Sequence, residues 1–204
     1  MTSEKLPRRT RNKLDKRARI QRAALELFSR DGFEQTTTKA IAEEAEVAAG
    51  TIFLYATDKA DLLVLATHDE LLRIVEERFA TMPDAALIEQ LLHVFGGFLA
   101  FYMRHGKLAP TMIQTLLVNE GRSALELDRL TIATLGRIAA LVEHAQKSGA
   151  LDEDVPPLLL AQNFFALYFS SLAAWLRKFV HTSEETLGLL RVALELQLRG
   201  LQRR

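Results

Sequence analysis

The sequence contains no cysteine. That excludes disulfides, thiolate metal ligands and a cysteine nucleophile, and it suits a reducing cytoplasm. Proline (5) and glycine (10) are scarce among 204 residues, so little interrupts helical periodicity, and low-complexity or collagen-like chains are excluded. No run approaches the roughly 18 consecutive apolar residues of a membrane span. The start, MTSEKLPRRTRNKLDKRAR, lacks the apolar centre of a secretory signal. A soluble, cytoplasmic protein with no membrane partner is expected. A nucleophile elbow, a glycine-rich phosphate loop and a pair of Glu-x-x-His motifs are also missing. The five histidines, His68, His93, His105, His144 and His181, are scattered over four predicted helices. Glu89 and His93 stand one turn apart without a second set, so no catalytic residue, metal or cofactor is expected.

Net charge is absent too, but only as a sum. Residues 1–22 hold nine cations (Lys5, Arg8, Arg9, Arg11, Lys13, Lys16, Arg17, Arg19 and Arg22) against Glu4 and Asp15. The resulting +7 at one end is balanced by −7 over the rest. Such asymmetry can neutralise phosphates at one end while the acidic body stays off the duplex.

Apolar periodicity predicts an all-α protein. Residues 1–13 read as a basic arm, followed by a helix over 16–30 with Ile20, Ala23, Ala24, Leu27 and Phe28 on its buried stripe. Asp31-Gly32 ends it, and Thr37 is placed to cap the next. The stretch 36–59, TTTKAIAEEAEVAAGTIFLYATDK, then reads as two short helices joined by a tight turn. Ile41, Ala42 and Ala45 form one apolar face, Val47 marks the turn, and Ile52 with Tyr55 or Ala56 forms a second face in a helix over 48–56. That is the pattern of a helix-turn-helix, whose second helix enters the DNA major groove. Further helices are predicted at 58–80 (opened by Asp58), 85–105, 110–119, 123–148 (ended by Gly149), 157–181 and 184–202, with breaks at Met82-Pro83-Asp84 and at 151–157.

Thr36-Thr37-Thr38-Lys39-Ala40-Ile41-Ala42, Val47, Gly50-Thr51-Ile52-Phe53-Leu54-Tyr55 and Lys59, preceded by Gly32-Phe33, resemble the DNA-binding signature of the TetR family of bacterial transcriptional regulators. The resemblance implies a DNA-binding domain over 1–57, with three helices after the basic arm, and a larger helical effector-binding and dimerisation domain over 58–204. It implies a homodimeric repressor of double-stranded DNA, with phosphate contacts from Thr37 or Thr38, Thr51, Tyr55 and Lys59, and Lys39 is expected among the DNA-binding residues. Three positions depart from the family: Ala40 replaces an acidic capping-box residue, Glu46 the usual turn glycine, and Phe53 a common tyrosine. Ala48 to Leu54 offer no arginine, lysine, asparagine or glutamine for bidentate base contacts. Base reading is therefore expected from Ala49, Phe53 and Leu54 against thymine methyls, with Gly50 allowing close approach and Arg8, Arg9 and Arg11 reaching the minor groove. Thr37 also reads as an ordinary helix cap, and Tyr55 as a core aromatic.

The last helix is apolar around most of its circumference, which two sides of burial would explain. Ser170, Ser171, Ala174, Leu187, Leu190, Leu194 and Leu198 are the expected dimer residues, an intrachain core being the other reading. Aromatics are dense between Phe95 and Trp175. They read either as core or, as the resemblance implies, as an effector site formed by Phe98, Tyr102, Gln114, Asn163, Phe164 and Tyr168 for a small hydrophobic or aromatic molecule. A helical-bundle enzyme or a helical interaction protein is the competing function; the basic start beside a helix-turn-helix argues against both.

Overall fold

The structure, a computed structural model, describes residues 7–118 and 120–201. These residues form nine helices: α1 (Arg8–Asp31), α2 (Thr38–Glu44), α3 (Ala49–Ile52), α4 (Lys59–Ala80), α5 (Leu87–Arg104), α6 (Ala109–Val118), α7 (Ala124–Lys147), α8 (Pro157–Leu176) and α9 (Ser183–Gly200). The all-α expectation holds. The chain forms two compact units, and their limits differ from a division at residue 57. The first takes residues up to Glu70 together with His105–Leu127; the second takes Leu71–Arg104 and residues from Asp128 onward. Hence α6 belongs to the same unit as the predicted DNA-binding helices.

In the first unit the predicted stripe of α1 is buried, as are Ile41, Ala42 and Ala45 of α2 and Ile52 of α3. Gln21 of α1 donates to the Leu65 carbonyl of α4 at 2.9 Å, so a buried amide finds its partner across the core. Buried Thr36 donates to the carbonyls of Leu27 and Gly32, closing the α1–α2 loop. Gly32 itself has φ 90°, and α1 stops there. In the second unit α9 packs on α8 and α5, and Arg191 grips Glu89 through two bonds of 2.7 and 2.9 Å. Gly97 brings α5 close to the end of α4: a Cβ there would lie 2.7 Å from the Arg78 side chain. Glu89 and His93 are thus structural, since His93 is held by Thr81 and the Arg78 carbonyl.

Three helices depart from expectation. The first begins at Arg8, so Arg8, Arg9 and Arg11 are helical and not part of an extended arm; residues 1–6 of that arm lie outside the described residues. The charged sequence 8–16 carries no breaker, and Pro7, which precedes the first helical turn, marks the start. The third helix is only four residues long, because Phe53 to Tyr55 continue as turns and not as α-helix. The eighth ends at Leu176, not near His181. There Lys178 adopts φ 61°, and the amides of Lys178 and Phe179 return to the carbonyls of Trp175 and Ala174. This is a Schellman stop made without glycine, which is why no residue type announces it. The last helix opens on Thr182 in a full capping box with Glu185. Its predicted end at Gln202 lies outside the described residues.

Candidate nucleic-acid interface and regulatory body

Helix α2 starts as expected: the Thr37 hydroxyl oxygen accepts from the Ala40 amide at 3.1 Å. Ala40 offers no carboxylate for the reciprocal bond of a capping box. Thr37's hydroxyl proton remains available to an outside acceptor, so capping and phosphate contact are compatible. Thr38 is half-buried, and Lys39 is exposed beside Glu43 at 3.8 Å. The turn that follows is another Schellman stop, with Glu46 at φ 52° and the Glu46 and Val47 amides bonded to the carbonyls of Glu43 and Ala42. Glutamate thus occupies a backbone conformation that favours glycine, at a cost of about 1 kcal/mol.

Ile52 and Ala56 face the core, while Ala49, Gly50, Phe53 and Leu54 are exposed, with Thr51 half-buried beside them. Phe53 is 50% and Leu54 71% exposed, an unusual apolar tip. A Cβ at Gly50 would meet nothing within 4 Å, so the chain's own packing does not require glycine there. Tyr55 is half-buried, and its hydroxyl donates to the Lys13 carbonyl of α1 at 3.2 Å. Lys59 donates to the carbonyls of Phe33 and Glu34 at 2.9 and 3.3 Å, with its ammonium 4.5 Å from the centre of the Phe33 ring. Both side chains therefore brace the helix-turn-helix internally. Arg8, Arg9 and Arg11 are exposed in the first turn of α1, where free helix amides add to their positive field.

Residues that periodicity does not single out hold this unit from behind. Asp61 is fully buried and accepts from Thr57, Arg122 and Ser123. Arg17 of α1 makes a two-pronged ion pair with Glu126 of α7, one prong at 2.9 Å. The guanidinium hydrogen bond holds the Glu126 carboxyl below its usual range, against the opposing effect of burial. Asp61 reads as an acid in the first turn of α4, just before the apolar run 62–66, and nothing in one sequence ties it to residues 61 and 62 positions away.

The expected effector residues do not form one cluster. Phe98, Tyr102, Phe164 and Tyr168 are buried in the second unit. Tyr168 stacks on Phe95 with ring centres 5.0 Å apart and touches Phe98 at 6.0 Å, so this group packs ring on ring. Burial pushes the Tyr102 and Tyr168 phenols well above their ordinary values. Asn163, by contrast, is exposed on α8. Gln114 belongs to the first unit, at a cavity of about 580 Å³ lined also by Phe33, Glu34, Thr57, Asp58 and Thr115. A cavity of about 370 Å³ in the second unit is lined by Leu87, Ile88, Gln90, Leu141, His144 and Leu198.

The expected dimer residues also divide. Leu190, Leu194 and Ser171 are buried within the chain and belong to its core; Leu187, Leu198 and Ala174 are half-buried, and Ser170 is exposed. The open face of α9 is Leu189, Val192 and Leu196, and α8, which packs on α9, exposes Leu159, Ala166, Ser170 and Ala173. Periodicity cannot choose between the faces of a helix that is apolar on both sides. By length and composition α8 is, among the described residues, a helix that could cross a membrane, yet a third of that window is buried inside the chain.

Residues 20–66 match the family model described as "Bacterial regulatory proteins, tetR family". The transcriptional repressor KstR of Rhodococcus jostii is 28% identical over 165 residues, covering 80% of this chain and 74% of the relative. Thermus thermophilus FadR, a repressor solved with lauroyl-CoA, is 27% identical, with a TM-score of 0.71 over 92% of this chain and 96% of its own. Bacillus subtilis FadR, solved with stearoyl-CoA, shares the fold at 22% identity, with a TM-score of 0.70 over 90% of this chain and 98% of its own. With the helix-turn-helix in place, residues 20–66 form a TetR-family DNA-binding domain, and the chain as a whole is similar in sequence and fold to TetR-family transcriptional regulators.

Proposed function

We propose that this protein is a cytoplasmic homodimeric repressor that binds a near-palindromic operator and is released by a hydrophobic effector. The observation that carries the DNA reading is the exposed tip Ala49, Gly50, Phe53 and Leu54, whose exposure and glycine the chain's own packing does not explain. Thymine methyls suit such a tip, and Thr37, Thr38, Lys39, Thr51 and the basic start of α1 supply phosphate contacts. Tyr55 and Lys59 act in support, given their internal bonds. The open face of α8 and α9 supports a two-fold partner, which sets two recognition helices about one DNA turn apart.

For the effector, the cavity of about 370 Å³ in the second unit, lined by Leu87, Ile88, Leu141 and Leu198 among others, supports a hydrophobic molecule. Because two FadR proteins were solved with acyl-CoA, a long-chain acyl-CoA is the first compound to test. It acts by binding the DNA-incompetent state more tightly.

The test is fluorescence-polarisation binding to DNA from upstream of the protein's own gene, against scrambled DNA, across a salt series. Selective binding that weakens steeply with salt is expected, along with weaker binding when particular thymines are replaced by uracil and release by acyl-CoA. Equal affinity for both DNAs overturns the operator reading, indifference to uracil at every thymine overturns the methyl contacts, and failure of acyl-CoA to release the complex overturns that effector.

A further inference from the structure

The α6–α7 connection lies outside the helix-turn-helix, yet Arg122 within it bonds to the end of the recognition helix, and its neighbours Gly121 and Ser123 meet Asp61 of α4. Arg122 Nη1 donates to the carbonyls of Phe53 and Leu54, at 3.4 and 3.1 Å. These carbonyls lie just after α3, where helix geometry leaves acceptors unpaired and a cation is favoured. The backbone amides of Arg122 and Ser123 donate to the two carboxylate oxygens of Asp61, at 3.1 and 2.8 Å. The same carboxylate accepts from the amide and hydroxyl of Thr57, at 2.8 and 3.2 Å, in the segment that leads from the tip into α4. Gly121 lies so close that a Cβ there would collide with the Asp61 carboxylate. The segment 53–61 is therefore tied at both ends to a loop some 60 positions away, by the Arg122 guanidinium at Phe53 and Leu54 and by the buried Asp61 carboxylate at Thr57 and Asp61.

We propose that Arg122 and Asp61 are positioning residues for DNA recognition: the segment Gly121–Arg122–Ser123 clamps the end of the recognition helix and sets the angle at which Phe53 and Leu54 are presented. This rests on the operator reading above. Arg122 acts without touching DNA. Asp61 holds the loop in place, and glycine at 121 permits the approach. Movement of α6 or of this loop changes the presentation of the tip with no change in the DNA-contacting residues themselves.

The test uses the full-length protein with Arg122→Gln and Gly121→Ala. Hydrogen exchange of the free protein is followed at the amides of residues 54–57 and 122–123, and operator affinity is measured across a salt series. Both variants are expected to exchange faster at those amides while other helices keep their protection. Arg122→Gln is expected to bind operator about fivefold more weakly, the effect of one net hydrogen bond, with an unchanged salt slope. Unchanged exchange at 54–57 in Arg122→Gln overturns the clamp whether or not DNA binds, and this variant decides the matter if Gly121→Ala fails to fold. A salt slope reduced by about one identifies Arg122 as a phosphate contact and overturns the positioning role. Absence of selective binding by the wild-type chain overturns the operator reading alone, since exchange still reports on the clamp.

Discussion

Replacing Leu196 by glutamate tests the proposed dimer face against the core of the same helix. Leu189, Val192 and Leu196 are 42%, 55% and 64% exposed and recur at helical spacing. Full burial of such a side chain contributes about 1.5–3 kcal/mol, so each half-exposed residue has about 1 kcal/mol still to gain. Two-fold symmetry doubles this, giving about 6 kcal/mol from one cluster before α8 is counted. Leu196→Glu removes two of these contributions and brings two carboxylates into the patch. The dimer should weaken by at least about 100-fold, with about 1.4 kcal/mol for each tenfold. Leu194, two residues away, is fully buried within the chain. There a glutamate places an unpaired carboxylate in the core, which costs several kcal/mol of folding stability. Sedimentation equilibrium and thermal unfolding of both variants separate the cases. Leu196→Glu is expected to be a folded monomer, whereas Leu194→Glu is expected to lose its cooperative transition. A Leu196→Glu protein that dimerises like wild type, or that unfolds like Leu194→Glu, refutes the assignment of faces.

Two more outcomes follow from local geometry. Glu46→Gly removes the positive-φ penalty and should stabilise the chain by about 1 kcal/mol. The Arg19–Glu46 pair it deletes is 3.5 Å apart, and the Glu46 side chain is 85% exposed, so little is lost; a lower melting temperature would count against this account. The Glu126 carboxyl, held below its ordinary range by Arg17, contributes stability above its unfolded value of about 4.3, lost as pH falls through the lower folded value. Glu126→Gln should therefore flatten part of the acid loss seen by denaturant unfolding between about pH 5 and 3. Parallel curves for the two proteins would show that the pair does not couple to folding.

Much of the molecule follows from neighbours along the chain. The helical class, the buried stripe of α1, the Thr37 cap, the positive φ of Glu46 and the Asp58 cap on the Asp61 amide all depend on residues within about five positions. Interactions of that range are carried by residue type and spacing, so the sequence by itself determines them, and with them the family signature. The rest required a choice among long-range partners. The tertiary structure decided that Leu190 and Leu194 face inward while Val192 and Leu196 face out, since both faces are apolar and only one finds α5 and α8. It also decided that Asn163 faces outward, while Phe98 and Tyr168 pack ring on ring, because aromatic density says nothing of how rings meet. Most consequentially, it brought Asp61 to Arg122 and Ser123: a buried carboxylate must find donors, but local sequence cannot say which distant amides supply them.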